Sequence, residues 1–177
     1  MKTKSIKDKI NEYFFLNPTI KLRVRQIERI VKVPLPSVIR YTRELEQEKV
    51  LKKDKIANIT VYSADRSSDK YLLEKKLFNI KRLYASNLIT FFVEELSNPT
   101  IVVFGSYSKG EDIEKSDIDL YIETLSKKRI NLDKFEKIIE RKIQIFNYHK
   151  IQDIQNKELA NNIVNGITLN GFIEVFK

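Results

Sequence analysis

The sequence predicts an α+β protein with two domains, on three observations. The first 64 residues contain 15 Lys and Arg against 7 Asp and Glu, so they hold nearly all of the net charge of +9. Apolar residues recur at helical spacing over most of this part, whereas a later apolar run, 100–104, is β-branched and of strand length. A short polar link lies between the two parts at 65–69. We therefore divide the chain into a basic domain (1–64), a connecting helix (65–86) and a second domain (87–177).

Composition excludes several classes of site. Of 177 residues, 42% are apolar, which is enough to build a packed core. There is no cysteine and only one histidine, His149, so disulfides, zinc ribbons and thiolate nucleophiles are excluded. The longest apolar runs are far too short to cross a bilayer, and the first residues lack the apolar stretch of a signal peptide. We expect a cytoplasmic protein that does not bind membranes.

The basic domain reads as three helices followed by a hairpin. Apolar spacing predicts helices over 5–14, over 24–32 and from about Ser37 onward. Prolines separate them, at Pro18 and within the turn 33–36. After Val50, the hairpin has its polar tip at 52–55 and its returning strand at 56–62.

This arrangement resembles the winged helix-turn-helix module of many archaeal and bacterial DNA-binding regulators. The resemblance covers residues 5–63 and implies that the third helix enters the major groove of duplex DNA. The outward face of that helix presents Ser37, Arg40 and Arg43, and arginine forks can contact guanine edges or phosphates. Phosphate contacts are expected from the lysines of the hairpin, Lys52, Lys53 and Lys55. The alternative is a module that dimerises or docks on another protein.

The connecting segment is strongly helical. Apolar residues recur at helical spacing over 71–85, and a second helix is predicted over 87–96. The first of these helices packs either one domain on the other or one subunit on another, which leaves a homodimer open.

The second domain begins with a buried strand that opens into a loop rich in Gly and Ser. After 100–104, Gly105 and Ser106 allow the backbone to approach an anionic ligand closely. Gly105 and Gly110 have the spacing of a Walker-type phosphate loop, but Glu111 and Asp112 stand where that loop requires Lys and Ser or Thr. Two carboxylates there would repel a phosphate, so the Walker interpretation fails.

A pair of aspartates follows on the next strand, 116–122. Residues two apart on a strand point to the same face, so Asp117 and Asp119 project together. Two adjacent carboxylates repel each other unless a cation neutralises them, and oxygen ligands favour Mg²⁺ or Mn²⁺. The sequence therefore predicts a divalent-metal site.

Gly105-Ser106, ten residues and Asp117-x-Asp119 match the G-S-x10-D-x-D signature. In this the chain resembles the minimal nucleotidyltransferases of the DNA polymerase β superfamily, from about Asn87 onward. The resemblance implies a mixed β-sheet flanked by helices, with Gly105, Ser106 and Lys109 binding the nucleotide and Asp117 and Asp119 as catalytic metal ligands. It also implies transfer of a nucleoside monophosphate from an NTP, for which we expect ATP.

The chain departs from this family at the third carboxylate, which active members carry on a later strand. The corresponding strand here is 142–146, and Ile143 and Ile145 are its core residues, so Gln144 faces the site. Glutamine can ligate a metal through its carbonyl oxygen, but it brings no charge and cannot act as a base. Glu140, on the preceding helix, is a weaker candidate.

Two functions therefore stay open from the sequence. One is a Mg²⁺-dependent nucleotidyltransferase with a DNA-binding module and an unidentified acceptor; a protein acceptor fits, because some minimal members of the family are antitoxins that adenylylate a partner toxin. The other is a winged-helix regulator whose second domain binds nucleotide without turnover. Towards the end of the chain, a helix over 159–165 and a hairpin turning at Asn170-Gly171 are predicted.

Overall fold

The computed structural model describes residues 4–176 and divides the chain into two compact units, residues 1–78 and 79–177. The division falls inside a helix, between Phe78 and Asn79. Residues 1–3 and 177, which belong to the predicted domains 1–64 and 87–177, lie outside the described part. The predicted boundaries of those domains stay predictions.

Three helices build the N-terminal unit: α1 (Ile6–Leu16), α2 (Val24–Val31) and α3 (Leu35–Gln47). Helix α3 starts two residues before the predicted position, because Pro36 occupies its first turn. Proline is tolerated there, since a first-turn N–H has no partner within the helix. The core of the unit is apolar and formed by all three helices and the hairpin, with fully buried Ile10, Ile27, Val38, Leu45, Val50 and Leu51.

The hairpin of this unit turns later than the sequence predicts. Strand β1 (Leu51–Ile56) pairs antiparallel with β2 (Ile59–Ala64), and the turn is Ala57-Asn58, with φ of 45° and 62°. A two-residue turn with two positive φ angles matches the twist of the strands, and Asn adopts this conformation readily. The prediction of a tip at 52–55 is therefore wrong, and the lysines lie along β1.

A third extended segment joins the hairpin. Leu22 forms an antiparallel bridge with Tyr62, with N–O distances of 2.9 and 2.7 Å. The segment between α1 and α2 is thereby fixed against β2.

Helix α4 (Asp69–Ala85) follows and contains the division between the units. Tyr71, near its start, belongs to the core of the N-terminal unit, and Leu83, near its end, belongs to a core of the C-terminal unit. Among residues 4–176, no helix has the length and apolar character needed to cross a membrane.

The C-terminal unit is built on a four-stranded mixed sheet in the order β5-β4-β3-β6. Strands β4 and β5 are parallel, and the other two pairs are antiparallel. In chain order, its elements are α5 (Leu88–Glu95), β3 (Thr100–Phe104), α6 (Gly105–Lys109), β4 (Ile118–Glu123), α7 (Asp133–Ile139), β5 (Ile143–Tyr148), a 3₁₀ turn (Ile151–Asp153), α8 (Lys157–Val164) and β6 (Ile167–Asn170). The mixture of helices and sheets confirms the predicted α+β class.

Strand alternation gives the sheet two apolar faces. Ile118, Leu120 and Ile122 of β4 face a core that includes residues of α5 and α7. Tyr121 faces the opposite core, together with Val102 and Ile163 of α8. The candidate site lies on the Tyr121 side, at the end of the sheet where β3 ends and β4 begins.

The hairpin predicted at Asn170-Gly171 does not form. Strand β6 pairs with β3, and residues 171–176 contain no strand. The Asn170 side chain explains this, because its amide donates to the Asn98 carboxamide oxygen at 2.9 Å and to the Pro99 carbonyl at 2.6 Å. These contacts fix residue 170 at the start of β3.

Gly166, which precedes β6, provides a test of this packing. A Cβ at this position would lie 2.6 Å from the Val103 carbonyl oxygen and 2.7 Å from Val102 Cγ1. We expect Gly166→Ala to lower the free energy of unfolding by about 1–3 kcal/mol, as overpacking does. Urea denaturation would measure this, with Asn162→Ala on the exposed face of α8 as control. Equal stability of Gly166→Ala and the wild type would contradict the close packing of α8 and β6 on β3.

Candidate nucleotide and metal site

The site is organised around close contact between Gly105 and Asp119. Gly105 has a φ of 69°, and a Cβ added to it would lie 2.6 Å from Asp119 Oδ2. The contact with Asp119 therefore requires both the positive φ of residue 105 and its lack of a side chain. The end of β3 and the second aspartate of the predicted pair are brought together, as the site prediction needs.

The predicted Gly-Ser loop is a short helix in the structure, α6. The Ser108 hydroxyl donates to the Gly105 carbonyl at 2.8 Å, and Ser108 is buried. The Ser106 carbonyl accepts from the N–H groups of Gly110 and Glu111. Local bonds of this kind tighten a chain reversal into a helical turn, so the segment predicted as a Gly-Ser loop is helical from Gly105 to Lys109. Sequence reasoning missed Ser108, although a Ser three residues after a helix start is a signal for such a bond.

The two nucleotide-binding candidates on α6 are accessible. Ser106 is half-exposed, and its hydroxyl makes no hydrogen bond to any of residues 4–176. Lys109 is exposed at the end of α6, and no acidic side chain in the described part of the chain pairs with it. Both side chains are free to bind an anion.

Strand register places three residues in one row across the sheet. Asp119 is paired with Phe104 of β3 on one side and with Gln144 of β5 on the other. Residues paired across strands point to the same face, so Gln144 lies beside Asp119, as predicted. Asp117 immediately precedes β4 and is exposed, whereas Asp119 is half-buried.

The two aspartates repel each other. Burial raises the pKa of Asp119, and the charge of Asp117 raises it further. Burial disfavours the ionised form because it removes water from the carboxylate. The site thus holds negative charge at an energetic cost that a bound cation would offset.

Glu136 of α7 holds the start of β5 in place and was missed by sequence reasoning. Its carboxylate accepts from the Ile143 N–H at 3.0 Å and from the Lys142 ammonium at 2.6 Å. The bond from Lys142 is the main reason that the pKa of Glu136 is lowered. These contacts lie next to Gln144, so they help to set the register that puts Gln144 beside Asp119.

A buried amide supports the chain after the site. The Asn79 side chain donates to the Tyr107 carbonyl at 2.9 Å and to Asp112 Oδ1 at 2.7 Å, and all three residues are buried. A buried polar group is tolerated when it is hydrogen-bonded in this way. Asn79 lies far from the motif in sequence, so no local pattern indicates its role.

A cleft of about 460 Å³ opens beside Asp117, between the loop before β4 and α7. Its lining is charged with both signs and includes Lys115, Glu136, Glu140, Arg141 and Lys142. Asp119 and Gln144 are not part of this lining. Glu140 caps the end of α7 and faces this cleft, so it is separate from the row on the sheet.

No group of three His, Cys, Asp or Glu residues with metal-binding proximity occurs within residues 4–176. This agrees with the presence of Gln144 where a third carboxylate would lie. The available oxygen donors are the two aspartates and the Gln144 carbonyl.

The predicted DNA-binding residues lie in the N-terminal unit. On α3, Ser37 is half-buried, while Arg40 and Arg43 are exposed. The Arg40 guanidinium lies 4.3 Å from the centre of the Tyr41 ring, and its Nε is 3.6 Å from Glu44 Oε1. Arg43 has no such partner among the residues that the structure describes.

The three lysines of the hairpin do not share one face. Successive residues of a strand point to opposite sides, so Lys53 and Lys55 lie on one face of β1 and Lys52 on the other. The three lysines are therefore divided between two faces of the hairpin, and the expectation that they contact phosphates stays a prediction.

The raised pKa of Asp119 generates a prediction. The folded state favours the protonated form, so ionisation destabilises it as pH rises from the ordinary pKa of 3.8 through the raised value. Without divalent metal at pH 7, we expect Asp119→Asn to melt at a higher temperature than the wild type. The difference should vanish below pH 3.8, where both states of the wild type are protonated.

Thermal melts from pH 3 to pH 8 with a chelator would test this. Glu94→Gln, at an exposed position of α5, is the matched control, and its melting temperature should follow that of the wild type. A less stable Asp119→Asn at pH 7 would show that the Asp119 charge is compensated within the protein.

Comparison with known proteins agrees with this geometry. Residues 85–168 match the family model described as "Nucleotidyltransferase domain". Neither a curated protein nor a solved structure matches the chain significantly. The matched residues include the whole row from Phe104 to Gln144, so this part of the chain is similar to nucleotidyltransferase domains.

Proposed function

We propose that the C-terminal unit transfers a nucleoside monophosphate from an NTP, with ATP as the expected donor, to an acceptor hydroxyl. In this reaction the acceptor oxygen forms a bond to the α-phosphorus, the bond to the β-phosphate oxygen breaks, and pyrophosphate leaves. The acceptor proton passes to solvent or to a nearby carboxylate. The observation that carries the proposal is the packing of Asp119 against Gly105, which joins the acidic pair to the anion-accessible end of β3.

The donor set fits a divalent cation. Asp117, Asp119 and the Gln144 carbonyl are hard oxygen ligands of the kind that Mg²⁺ or Mn²⁺ prefers. The raised pKa of Asp119 indicates negative charge that the protein does not compensate by itself. When bound, such a cation neutralises charge on the triphosphate and on the leaving group.

The chain's own side chains orient the nucleotide. The Ser106 hydroxyl can donate to a phosphate oxygen, and the Lys109 ammonium can pair with the triphosphate charge. Gln144 can donate or accept a hydrogen bond, but it cannot remove a proton. The bases are the carboxylates of Asp119, in this row, and of Asp117, which precedes β4 on the same face.

For the N-terminal unit we propose a winged helix-turn-helix that binds duplex DNA. Three helices, a hairpin and the bridge from Leu22 to Tyr62 support it. So does the excess of basic residues in residues 1–64. Arg43 on α3, with its guanidinium unpaired in the described structure, is the strongest candidate for contact with a base edge.

Gln144 supports a second candidate function. It lies beside Asp119 where active members of the family carry a carboxylate. A site with two carboxylates and an amide can hold a nucleotide with its cation and still lack efficient transfer. The chain would then be a DNA-binding regulator that senses a nucleotide.

Nucleotide binding should require a divalent cation. Calorimetry with the full chain should detect ATP binding in Mg²⁺ or Mn²⁺ and none in a chelator, because the aspartates repel the triphosphate otherwise. Asp117→Ala/Asp119→Ala should lose the binding, and Glu140→Ala, outside the row, should retain it. Equal, cation-independent affinity in all three proteins would remove the metal-site interpretation.

The role of position 144 can be tested by restoring the carboxylate. Gln144→Glu should bind Mn²⁺ more tightly and should raise or create transferase activity, because it adds a third charged ligand. Asn147→Asp adds the same charge to the same strand, but on its other face, and should have neither effect.

The assay is transfer of label from each labelled NTP, with Mg²⁺, to any macromolecule in a lysate. Label transferred by the wild type and lost in Asp117→Ala/Asp119→Ala supports the enzyme. Transfer by Gln144→Glu alone supports the nucleotide-sensing regulator. No transfer by either protein would contradict the proposed reaction.

The N-terminal unit should bind duplex DNA with an affinity that falls steeply with salt, because phosphate contacts release counterions. Replacing Lys52, Lys53 and Lys55 by Gln should weaken binding to all sequences and flatten the salt dependence. Arg43→Ala or Arg40→Ala should weaken the free energy of binding to a selected DNA site by about 1–3 kcal/mol if the residue contacts a base edge.

Gel shifts with selected and random duplexes at several salt concentrations would measure both effects. The charge-matched control replaces three exposed lysines of the other unit: Lys127, Lys134 and Lys157. Absence of binding at low salt by the folded protein would favour the docking or dimerisation alternative.

A further inference from the structure

A polar groove of about 430 Å³ lies on the N-terminal unit, away from the face of Lys53 and Lys55. It is bounded by the chain that follows α1, by one face of the hairpin and by the segment after β2. Its lining is basic and rich in hydroxyl groups, with Pro18, Thr19, Lys21, Lys52, Ser63, Ala64, Arg66 and Ser67.

Strand register aligns three of these side chains in a row. Lys52 of β1 is paired with Ser63 of β2. On the other side of β2, the antiparallel bridge between Leu22 and Tyr62 brings Lys21 level with Ser63. Adjacent extended segments lie about 4.8 Å apart, so the two lysine backbones flank the serine at about that distance on each side.

The row has two positive charges, and one carboxylate, that of Asp54, lies near it on the same face of β1. Lys52 has no acidic partner among the residues described, and no carboxylate lines the groove. Lys21 approaches Asp54 at 3.8 Å, with both side chains about half exposed, which is a weak pair. Asp65, next to the groove, accepts a hydrogen bond from the Ser67 hydroxyl at 2.8 Å.

Ser63 supplies a hydroxyl at the base of the row. The residue is only 5% exposed, and within residues 4–176 its hydroxyl makes no hydrogen bond. Ser63 lines the groove and its hydroxyl is not fully enclosed, so it can donate to an oxygen of a ligand there.

We propose that Lys21, Ser63 and Lys52 bind one phosphate group, with both ammonium groups pairing with its charge and the Ser63 hydroxyl donating to an oxygen. Where the N-terminal unit binds duplex DNA, as proposed above, this is a backbone phosphate on the flank of the hairpin. A free phosphate-bearing ligand offers the same chemistry. Lys52 then acts with Lys21 at a separate site from Lys53 and Lys55.

Inorganic phosphate is the first probe, used with the full chain and without DNA. The ¹H–¹⁵N signal of the backbone amide at position 63 should shift saturably with phosphate in the wild type. The shift should be lost in Lys21→Gln/Lys52→Gln and weakened in Ser63→Ala. Lys53→Gln removes the same charge from the same strand on its other face, and it should retain the shift.

The salt dependence of DNA binding is the second measurement. If the phosphate belongs to DNA, Lys21→Gln and Lys52→Gln should each reduce the slope of log affinity against log salt by about 0.9, the value for one lost phosphate contact. Because both lysines serve one phosphate, the double variant should lose no more than either single variant. The slope losses of Lys52→Gln and Lys53→Gln should instead be additive in the double variant, because these two lysines contact different phosphates.

The outcomes separate this proposal from the function on which it rests. Saturable phosphate binding with unchanged DNA slopes assigns the site to a free phosphate-bearing ligand. Saturable phosphate binding by a protein that binds no DNA leaves the site intact and removes the DNA-binding proposal. Unchanged Ser63 signals together with unchanged DNA slopes in the lysine variants would overturn the site.

Discussion

The Asp119 carboxylate can pack against the end of β3 only because residue 105 has no side chain. This contact sets the distance between the acidic pair and α6, on which Ser106 and Lys109 lie. The positive φ of Gly105 turns the chain at that point, and Ser108 closes the turn with a bond to the Gly105 carbonyl. The signature Gly-Ser therefore encodes a steric condition in addition to a binding group.

The sheet order determines which later residue reaches the acidic pair. Strand β5 is parallel to β4, so the chain must cross over between them, and α7 forms part of that crossover. Glu136 on α7 binds the Ile143 N–H and Lys142 directly at the start of β5. A slip of one residue in this pairing would turn Gln144 to the opposite face and bring an isoleucine beside Asp119.

The sequence identified the elements around the site because short periodic signals dominate there. An apolar strand, a glycine and two aspartates at strand spacing predicted one shared site, and the alternation of Ile143 and Ile145 predicted the orientation of Gln144. Contacts between distant segments were not predictable in this way. The Asn79 amide, the Glu136 carboxylate and the pairing of β6 with β3 depend on partners 6 to 72 residues away or on packing. Asn170-Gly171 has the local pattern of a hairpin, but the bonds from Asn170 to Asn98 and Pro99 outweigh that preference.

The same alternation that orients Gln144 also separates the lysines of the hairpin. The sequence predicted a polar tip at 52–55, which contains Lys52, Lys53 and Lys55. The turn at Ala57-Asn58 instead places all three within a strand, where neighbours point to opposite sides. Positive charge in this unit is therefore divided between two surfaces, and a count of basic residues alone would not reveal it.

Charge balance gives Gln144 its importance for function. Two aspartates contribute two negative charges, which match one divalent cation. A third carboxylate would leave excess negative charge, which favours binding of a second cation. Two-metal sites stabilise both the attacking and the leaving oxygen of a phosphoryl transfer. An amide at position 144 keeps an oxygen ligand but removes both the additional charge and a base near the acceptor. We infer that this row is better suited to holding a nucleotide with one cation than to activating an acceptor, so position 144 is where nucleotide binding and nucleotidyl transfer can be separated.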